Sequence, residues 1–350
     1  MVADAGRLLE PVLALHDRIC ASVVDACAGQ ATEELAAVAA DEVGDTIYGV
    51  DRVSEAMLVE GLLDLAREEP LVLVAEGLAG GTLTLPRGAR DADCRWRLIV
   101  DPIDGTRGLM YGKRSAWILT GVAPNLGAGT RLCDIVLAAQ TEIPLVKQHL
   151  ADQLWAIRGR GAHGRRVNRF TGESEPLALR PSRADTTAHG FATVVRFFPG
   201  ARDVLAAIDD EIARELLGLP APGKAACFED QYLSTGGQLY ELMAGHDRFI
   251  ADLRPLLQPV FAERGLPPAL CCHPYDICTA LIAEELGVVL TGADGEPVDA
   301  PLDVEADVTW VGYANAALRA RVEPVLQRAL RRRGLHPPSL PAATAPAGTT

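Results

Sequence analysis

The segment Trp96-Arg97-Leu98-Ile99-Val100, running into Asp101-Pro102-Ile103-Asp104-Gly105-Thr106, limits what this chain can fold into more than any other. An apolar run of that length, bounded by turn residues, has the pattern of an interior strand. The strand ends on two acids three positions apart. Pro102 fixes one φ between them, and Gly105 lets the backbone turn sharply or approach another group closely. Two carboxylates with the Ile103 carbonyl between them make an oxygen-rich cage of the kind that suits Mg²⁺ or Mn²⁺. The Gly105 and Thr106 amides then open a helix or a nest able to bind phosphate. Taken alone, the same letters also describe an acidic turn in which Asp104 caps a helix.

Two further stretches bring acids to the ends of regular elements. Leu73-Val74-Ala75-Glu76-Gly77 is an apolar strand that ends on a glutamate. His273-Pro274-Tyr275-Asp276 opens an apolar-periodic helix that Gly287 ends, and a strand with an Ala293-Asp294-Gly295 turn follows. Glu76, Asp101, Asp104 and Asp276 therefore offer carboxylates from three separate element ends. Hydrolysis of a phosphate ester needs charge neutralised on the phosphoryl oxygens and a water made nucleophilic. Divalent cations held by such carboxylates do both.

The remaining sequence supplies the scaffold. Residues 7–29 show helical spacing of apolar side chains, a second helical stretch covers about 32–40, and a third helix covers 52–69 with Asp51 as its N-cap. Residues 117–123 read as a strand, 132–140 and 153–158 continue an antiparallel pattern with glycine-rich hairpin residues at 159–164, and 170–186 form a connection. From 228 to 315 strand and helix alternate, which suggests an α/β half. The expected division is 1–195, 196–336 and a disordered Pro/Ala/Thr-rich tail at 337–350. Glu284 and Glu285 read as a solvated helix face. The net charge of −14 argues against a nucleic-acid polymer or an anionic membrane as partner. No apolar run reaches membrane-spanning length. The eight cysteines show no C-x-x-C pair, which fits reduced thiols in the cytoplasm.

In this order, the E-G, D-P-I-D-G-T and P-Y-D-I-C-T-A stretches resemble the inositol monophosphatase family of metal-dependent phosphatases. Leu154–Ala162 is similar to that family's A-x-x-G-x-G-A hairpin, and Ser234–Gly245 to its G-S-x-A helix. The resemblance covers roughly residues 40 to 315. It implies an α+β fold, a layered αβαβα sandwich with an antiparallel N-terminal sheet and an α/β C-terminal half. It implies two or three Mg²⁺ per site, with Mn²⁺ as the alternative. Glu76, Asp101 and the Ile103 carbonyl would hold the first metal, and Asp101, Asp104 and Asp276 the second. Asp51 would support a third through water. Thr106 would orient the attacking water, and Gly105, Thr106 and Arg107 would face the phosphate.

The chain departs from the family pattern at three places. Gly77 stands where a second acid is usual, Arg107-Gly108-Leu109 follows D-G-T, and Tyr275 replaces tryptophan with no acid in the run 268–275. The expected function is hydrolysis of a small polyol, sugar or nucleotide phosphate by an enzyme that allows a homodimer. A bisphosphate nucleotidase is the alternative within the superfamily, and a non-catalytic relative with a binding or assembly role the alternative outside catalysis.

Overall fold

A computed structural model describes the backbone of residues 2–29, 38–42 and 45–335, and the side chains of residues 4–29 and 57–335. A short antiparallel pair, β1 (Val38–Glu42) and β2 (Asp45–Tyr48), precedes the main sheet. That sheet contains β3 (Leu71–Ala75), β4 (Thr82–Leu85), β5 (Trp96–Asp104), β6 (Ala116–Pro124), β7 (Leu137–Ile143), β8 (Leu150–Ile157), β9 (Ala162–Asn168) and β10 (Ser174–Pro176). Its eight strands lie in the order β10-β9-β8-β7-β6-β5-β3-β4. The second sheet has four strands, β11 (Phe191–Val194), β12 (Asp247–Asp252), β13 (Val289–Thr291) and β14 (Trp310–Tyr313), in the order β11-β12-β14-β13. Pairing is antiparallel throughout except for β3 with β5 and β11 with β12.

The principal helices are α1 (Leu9–Gly29), α2 (Gly49–Glu68), α3 (Thr106–Met110), α4 (Arg202–Leu217), α5 (Thr235–Met243), α6 (Pro274–Ile277), α7 (Ala280–Glu285) and α8 (Ala316–Arg332). Leu15 and Ile19 of α1 and Leu58 and Leu62 of α2 pack on one face of the main sheet, against Leu73, Leu98, Val100 and Ile118. On the other face Ile99, Trp117 and Leu119 meet Leu239 and Leu242 of α5 and Leu281 and Ile282 of α7. These in turn meet Phe249, Ile250 and Val311 of the second sheet, whose far side is covered by Ile208 of α4 and Leu318 and Leu326 of α8. The result is the expected αβαβα layering. Every residue of β5 is buried, because helices cover both faces of a central strand. That is why its sequence is a continuous apolar run rather than an alternating one. His16 fixes α1 to the sheet: its ring nitrogens bond Thr141 Oγ1 at 2.9 Å and Thr120 Oγ1 at 2.8 Å. Full burial keeps that imidazole neutral, with its pKa pushed down to about 3.

Several expectations change. Residues 38–40, expected to close a helix, open β1; Val-Ala-Ala carries no decisive period, and backbone pairing with β2 settles it. The rest of that stretch, from 32 to 37, lies outside the described residues, as does the tail 337–350. Helix α2 starts at Gly49, so Asp51 falls inside its first turn rather than at its N-cap; the Asp51 side chain lies outside the described residues. β10 sits within the connection expected at 170–186, and β11, ahead of residue 196, joins the second sheet. Glu285 is not a solvated face. Its carboxylate accepts the Gly159 and Gly161 amides at 2.6 and 2.8 Å and so ties α7 to the β8–β9 hairpin.

Candidate metal centre

Residues three apart on a regular strand point to opposite faces, so Asp101 and Asp104 should diverge. They converge because β5 is bulged. Asp101 pairs with Leu119 and Asp104 with Trp117, so three steps on β5 match two on β6. One extra residue restores both acids to the same face. Pro102, which has no N–H to give a ladder, sits where a bulge tolerates it.

The two acids are then held by different partners. Asp101 Oδ1 accepts the Ile103 amide at 2.9 Å. Asp104 Oδ2 accepts the Ser234 hydroxyl at 2.8 Å and the Gly236 amide at 2.6 Å. Ser234 is itself the N-cap of α5, its Oγ accepting the Gly237 amide at 2.8 Å. The helix can come this close because residue 236 is glycine; a Cβ there would meet Leu119 Cδ2 at 2.6 Å. On the other side of the cluster, Asp276 Oδ2 accepts the His273 amide at 2.6 Å across the first turn of α6. Asp101, Asp104 and Asp276 thereby bring carboxylate oxygens within 4.8 Å of one another. Glu76, at the end of β3, lines the same cavity, and Tyr275 donates its hydroxyl to Glu76 Oε1 at 3.0 Å.

Such a cluster is unfavourable without a cation. Burial raises the Asp101 carboxyl well above its ordinary range, and the charges of Asp104, Asp276 and Glu76 add to the rise. Asp276 is raised by burial and then by Asp104, against the opposing His273 amide. Burial lifts Asp104 to about 6, while Ser234, the Gly236 and Thr235 amides and the Arg254 charge pull the other way. Tyr275 is raised chiefly by burial, then by Asp276 and Glu76, and so remains a hydroxyl donor. Buried carboxylates that repel one another, already oriented by hydrogen bonds, form a donor set that fits a hard divalent cation.

Gly105 has a left-handed φ of 97° and turns the chain from β5 into α3. A Cβ on it would lie 3.0 Å from Ser234 Cβ and 3.3 Å from Leu233 O, so glycine also permits the close approach of the 233–234 loop. Helix α3 has five residues, too short for a helix macrodipole to add much; any anion contact there rests on the Gly105 and Thr106 amides themselves. Thr106 donates its hydroxyl to Ile103 O at 2.8 Å, and a carbonyl oxygen with two lone pairs can hold that bond and a cation together. Arg107 lines the same cavity of about 110 Å³. Gly77, with a φ of 82°, offers no carboxylate beside Glu76. His273 donates Nδ1–H to Cys271 O at 3.2 Å and stacks on Tyr275 at 5.3 Å, a structural position.

Sequence reasoning missed one wall of the cavity. Phe197, Phe198, Arg254, Leu270 and Cys271 line it. Arg254 is bound through Nε and Nη2 to Asp252 at the end of β12, at 2.8 and 2.5 Å. The signal was present, since Asp252 ends an apolar strand as Glu76 does. Its partnership with Arg254, two residues on, is local; what depends on the longer fold is the meeting of Arg254 with Phe197, Phe198 and Leu270. Among the described residues, no helix is long and apolar enough to cross a membrane.

No family model and no curated protein sequence matches the chain. Solved structures do. The extragenic suppressor protein SuhB of Bartonella henselae is 15% identical, with 92% of this chain and 99% of that one aligned and a TM-score of 0.62. The IMPase of Thermotoga maritima is 15% identical over 93% and 98%, with a TM-score of 0.59. Leishmania major fructose-1,6-bisphosphatase, in holo form, is 14% identical over 93% and 94%, with a TM-score of 0.65. The identities are low and the coverage is nearly complete, so the likeness is one of architecture: this chain has the inositol monophosphatase fold.

Proposed function

We propose that the chain is a metal-dependent phosphomonoesterase acting on a small phosphorylated metabolite. The observation that carries this reading is the convergence of Asp101, Asp104 and Asp276 within 4.8 Å, in a cavity also lined by Glu76 and by Gly105 and Thr106. A binding module would have no need for buried, mutually repelling acids beside phosphate-binding amides. When bound, Mg²⁺ or Mn²⁺ supplies charge neutralisation and an activated water. Glu76, Asp101 and the Ile103 carbonyl are assigned to one cation, and Asp101, Asp104 and Asp276 to a second, with Asp101 shared. Asp51 is assigned to the support of a third.

The chain's own residues do the rest. The Gly105 and Thr106 amides hold phosphoryl oxygens. Thr106, anchored through its hydroxyl to Ile103 O, orients the attacking water through the acceptor capacity of the same oxygen. Tyr275 holds the Glu76 carboxylate in one orientation through its O–H bond. Within the fold, a bisphosphate nucleotidase is the second reading, favoured by the arginines of the cavity wall.

The test is phosphate release from a panel of phosphomonoesters with and without Mg²⁺, alongside EDTA controls. Metal-dependent turnover of at least one substrate, lost in Asp104→Asn, is the expected result. A panel with no metal-dependent turnover would favour a non-catalytic binding role.

A further inference from the structure

We propose that Arg254 makes this site select phosphomonoesters carrying a second anionic group, such as a bisphosphate or a phosphorylated acid, over neutral polyol phosphates. The inference rests on the phosphatase reading and names its substrate class.

Arg254 follows β12 and is only 7% exposed, yet it lines the cavity that holds the acids. Its Nε and Nη2 donate to Asp252, and its Nη1 donates to Leu270 O at 3.0 Å. A guanidinium has five N–H groups in a rigid planar fork. One N–H on Nη1 and one on Nη2 therefore remain without a protein acceptor among the described residues. The plane is fixed from its faces as well, because the guanidinium carbon lies 5.0 Å from the Phe197 ring centre and 5.4 Å from that of Phe198. Both rings line the cavity and keep water from the cation. A desolvated, immobilised fork with unused donors is suited to planar or tetrahedral oxyanions.

The surroundings favour an anion over a hydroxyl. Arg254 lines the same cavity as Asp104 and Asp276. Arg107 lines the same cavity. Beyond Phe197, which the two hollows share, an adjoining groove is lined by Arg196 and Arg202. Arg196 is engaged with Asp209 and Glu229. Arg202 donates to the backbone carbonyls of Arg196 and Phe197. Asp203, paired with Arg264, lines the same groove, so the arginines beside the acids act as oriented N–H donors within ion pairs. A substrate with its scissile phosphate at the metal centre would meet these donors with its remaining substituents. Asp252 balances the single charge of Arg254 and prevents the buried cation from being left alone, so what the pair offers a ligand is its oriented N–H donors rather than net charge.

The experiment compares glycerol 2-phosphate with 2-phosphoglycerate, which differ only in a hydroxymethyl group against a carboxylate. Initial rates are measured with Mg²⁺ for the wild type, Arg254→Lys and Asp252→Asn/Arg254→Gln. The double variant removes both charges and so leaves no unpaired ion in the interior; its melting curve reports whether it folds. The wild type should favour 2-phosphoglycerate by about tenfold or more in kcat/KM. In the folded double variant that ratio should fall by about tenfold, with the loss mainly in KM for the acidic substrate. Arg254→Lys, which keeps the charge without the fork, should retain part of the ratio. Equal wild-type rates on the two substrates, or a ratio unchanged in the double variant, would overturn the inference and leave the phosphatase reading standing. Hydrolysis of neither would overturn the inference, while the wider phosphomonoester panel decides the phosphatase reading separately.

Discussion

Replacing Asp104 with asparagine isolates charge from shape. Oδ2 of Asp104 accepts from Ser234 Oγ at 2.8 Å and from the Gly236 amide at 2.6 Å, and an asparagine carbonyl can accept both. What disappears is a buried negative charge whose carboxyl is pushed up to about 6 from 3.8. At about 1.4 kcal/mol per pKa unit, keeping that group ionised in the folded, metal-free protein costs roughly 3 kcal/mol, an order-of-magnitude figure. The sign follows from linkage. With its folded pKa raised, the native state binds more protons than the unfolded chain between the two values. Wild-type stability therefore falls as pH rises from about 4 to about 7 and then levels off. Asparagine has no such dependence. In EDTA, Asp104→Asn should match the wild type near about pH 4 and exceed it by up to roughly 3 kcal/mol near about pH 8. Equilibrium urea unfolding at the two pH values measures this directly. Added Mg²⁺ should reverse the order, because it stabilises a protein that binds it, and turnover should drop by more than about tenfold. A stability difference that stays constant between the two pH values would refute the charge argument. Equal stabilisation of both proteins by Mg²⁺ would remove Asp104 from the metal site.

Three further outcomes follow from the same geometry. Mg²⁺ binding near neutral pH should release protons from Asp101, Asp104 and Asp276, all raised by burial; calorimetry in two buffers of different ionisation enthalpy should show it, and buffer-independent heats would count against it. Gly105→Ala forces a side chain into a left-handed φ of 97° and within 3.0 Å of Ser234 Cβ. It should cost about 1–3 kcal/mol in unfolding free energy, and an unchanged denaturation midpoint would show that the turn relaxes freely. Tyr275→Phe removes the 3.0 Å bond to Glu76 Oε1; Mg²⁺ affinity should weaken by about tenfold, whereas an unaltered dissociation constant would make that bond incidental to the metal.

How far the site could be read from sequence depended on how local its determinants are. The acidic turn was legible because strand, Pro102 and Gly105 lie within one short segment and each restricts the backbone there. Glu76 and Asp276 were legible because each ends or opens a regular element. The bulge was not, since an extra residue on β5 is defined only against β6. The approach of the Phe197–Phe198 wall to Arg254 was not either. They meet through connections whose course is set by packing between the sheets rather than by any local period. The β1–β2 pair was misread for a related reason: an alanine-rich run has no apolar stripe, so only its hydrogen-bonding partner decides between helix and strand.

The tie between Asp104 and Ser234 also bears on how the protein is made. The two residues are 130 positions apart in sequence, and Asp276 comes later still. A chain emerging from the ribosome in order exposes the acidic turn long before it has the helix cap that orients Asp104 or the third carboxylate that completes the cluster. The unfinished N-terminal portion is thus a poor trap for cations. On the metal-centre reading, capture of a cation would wait until the second sheet and its helices have been synthesised and docked, and loading would be a late event that reports on completed assembly.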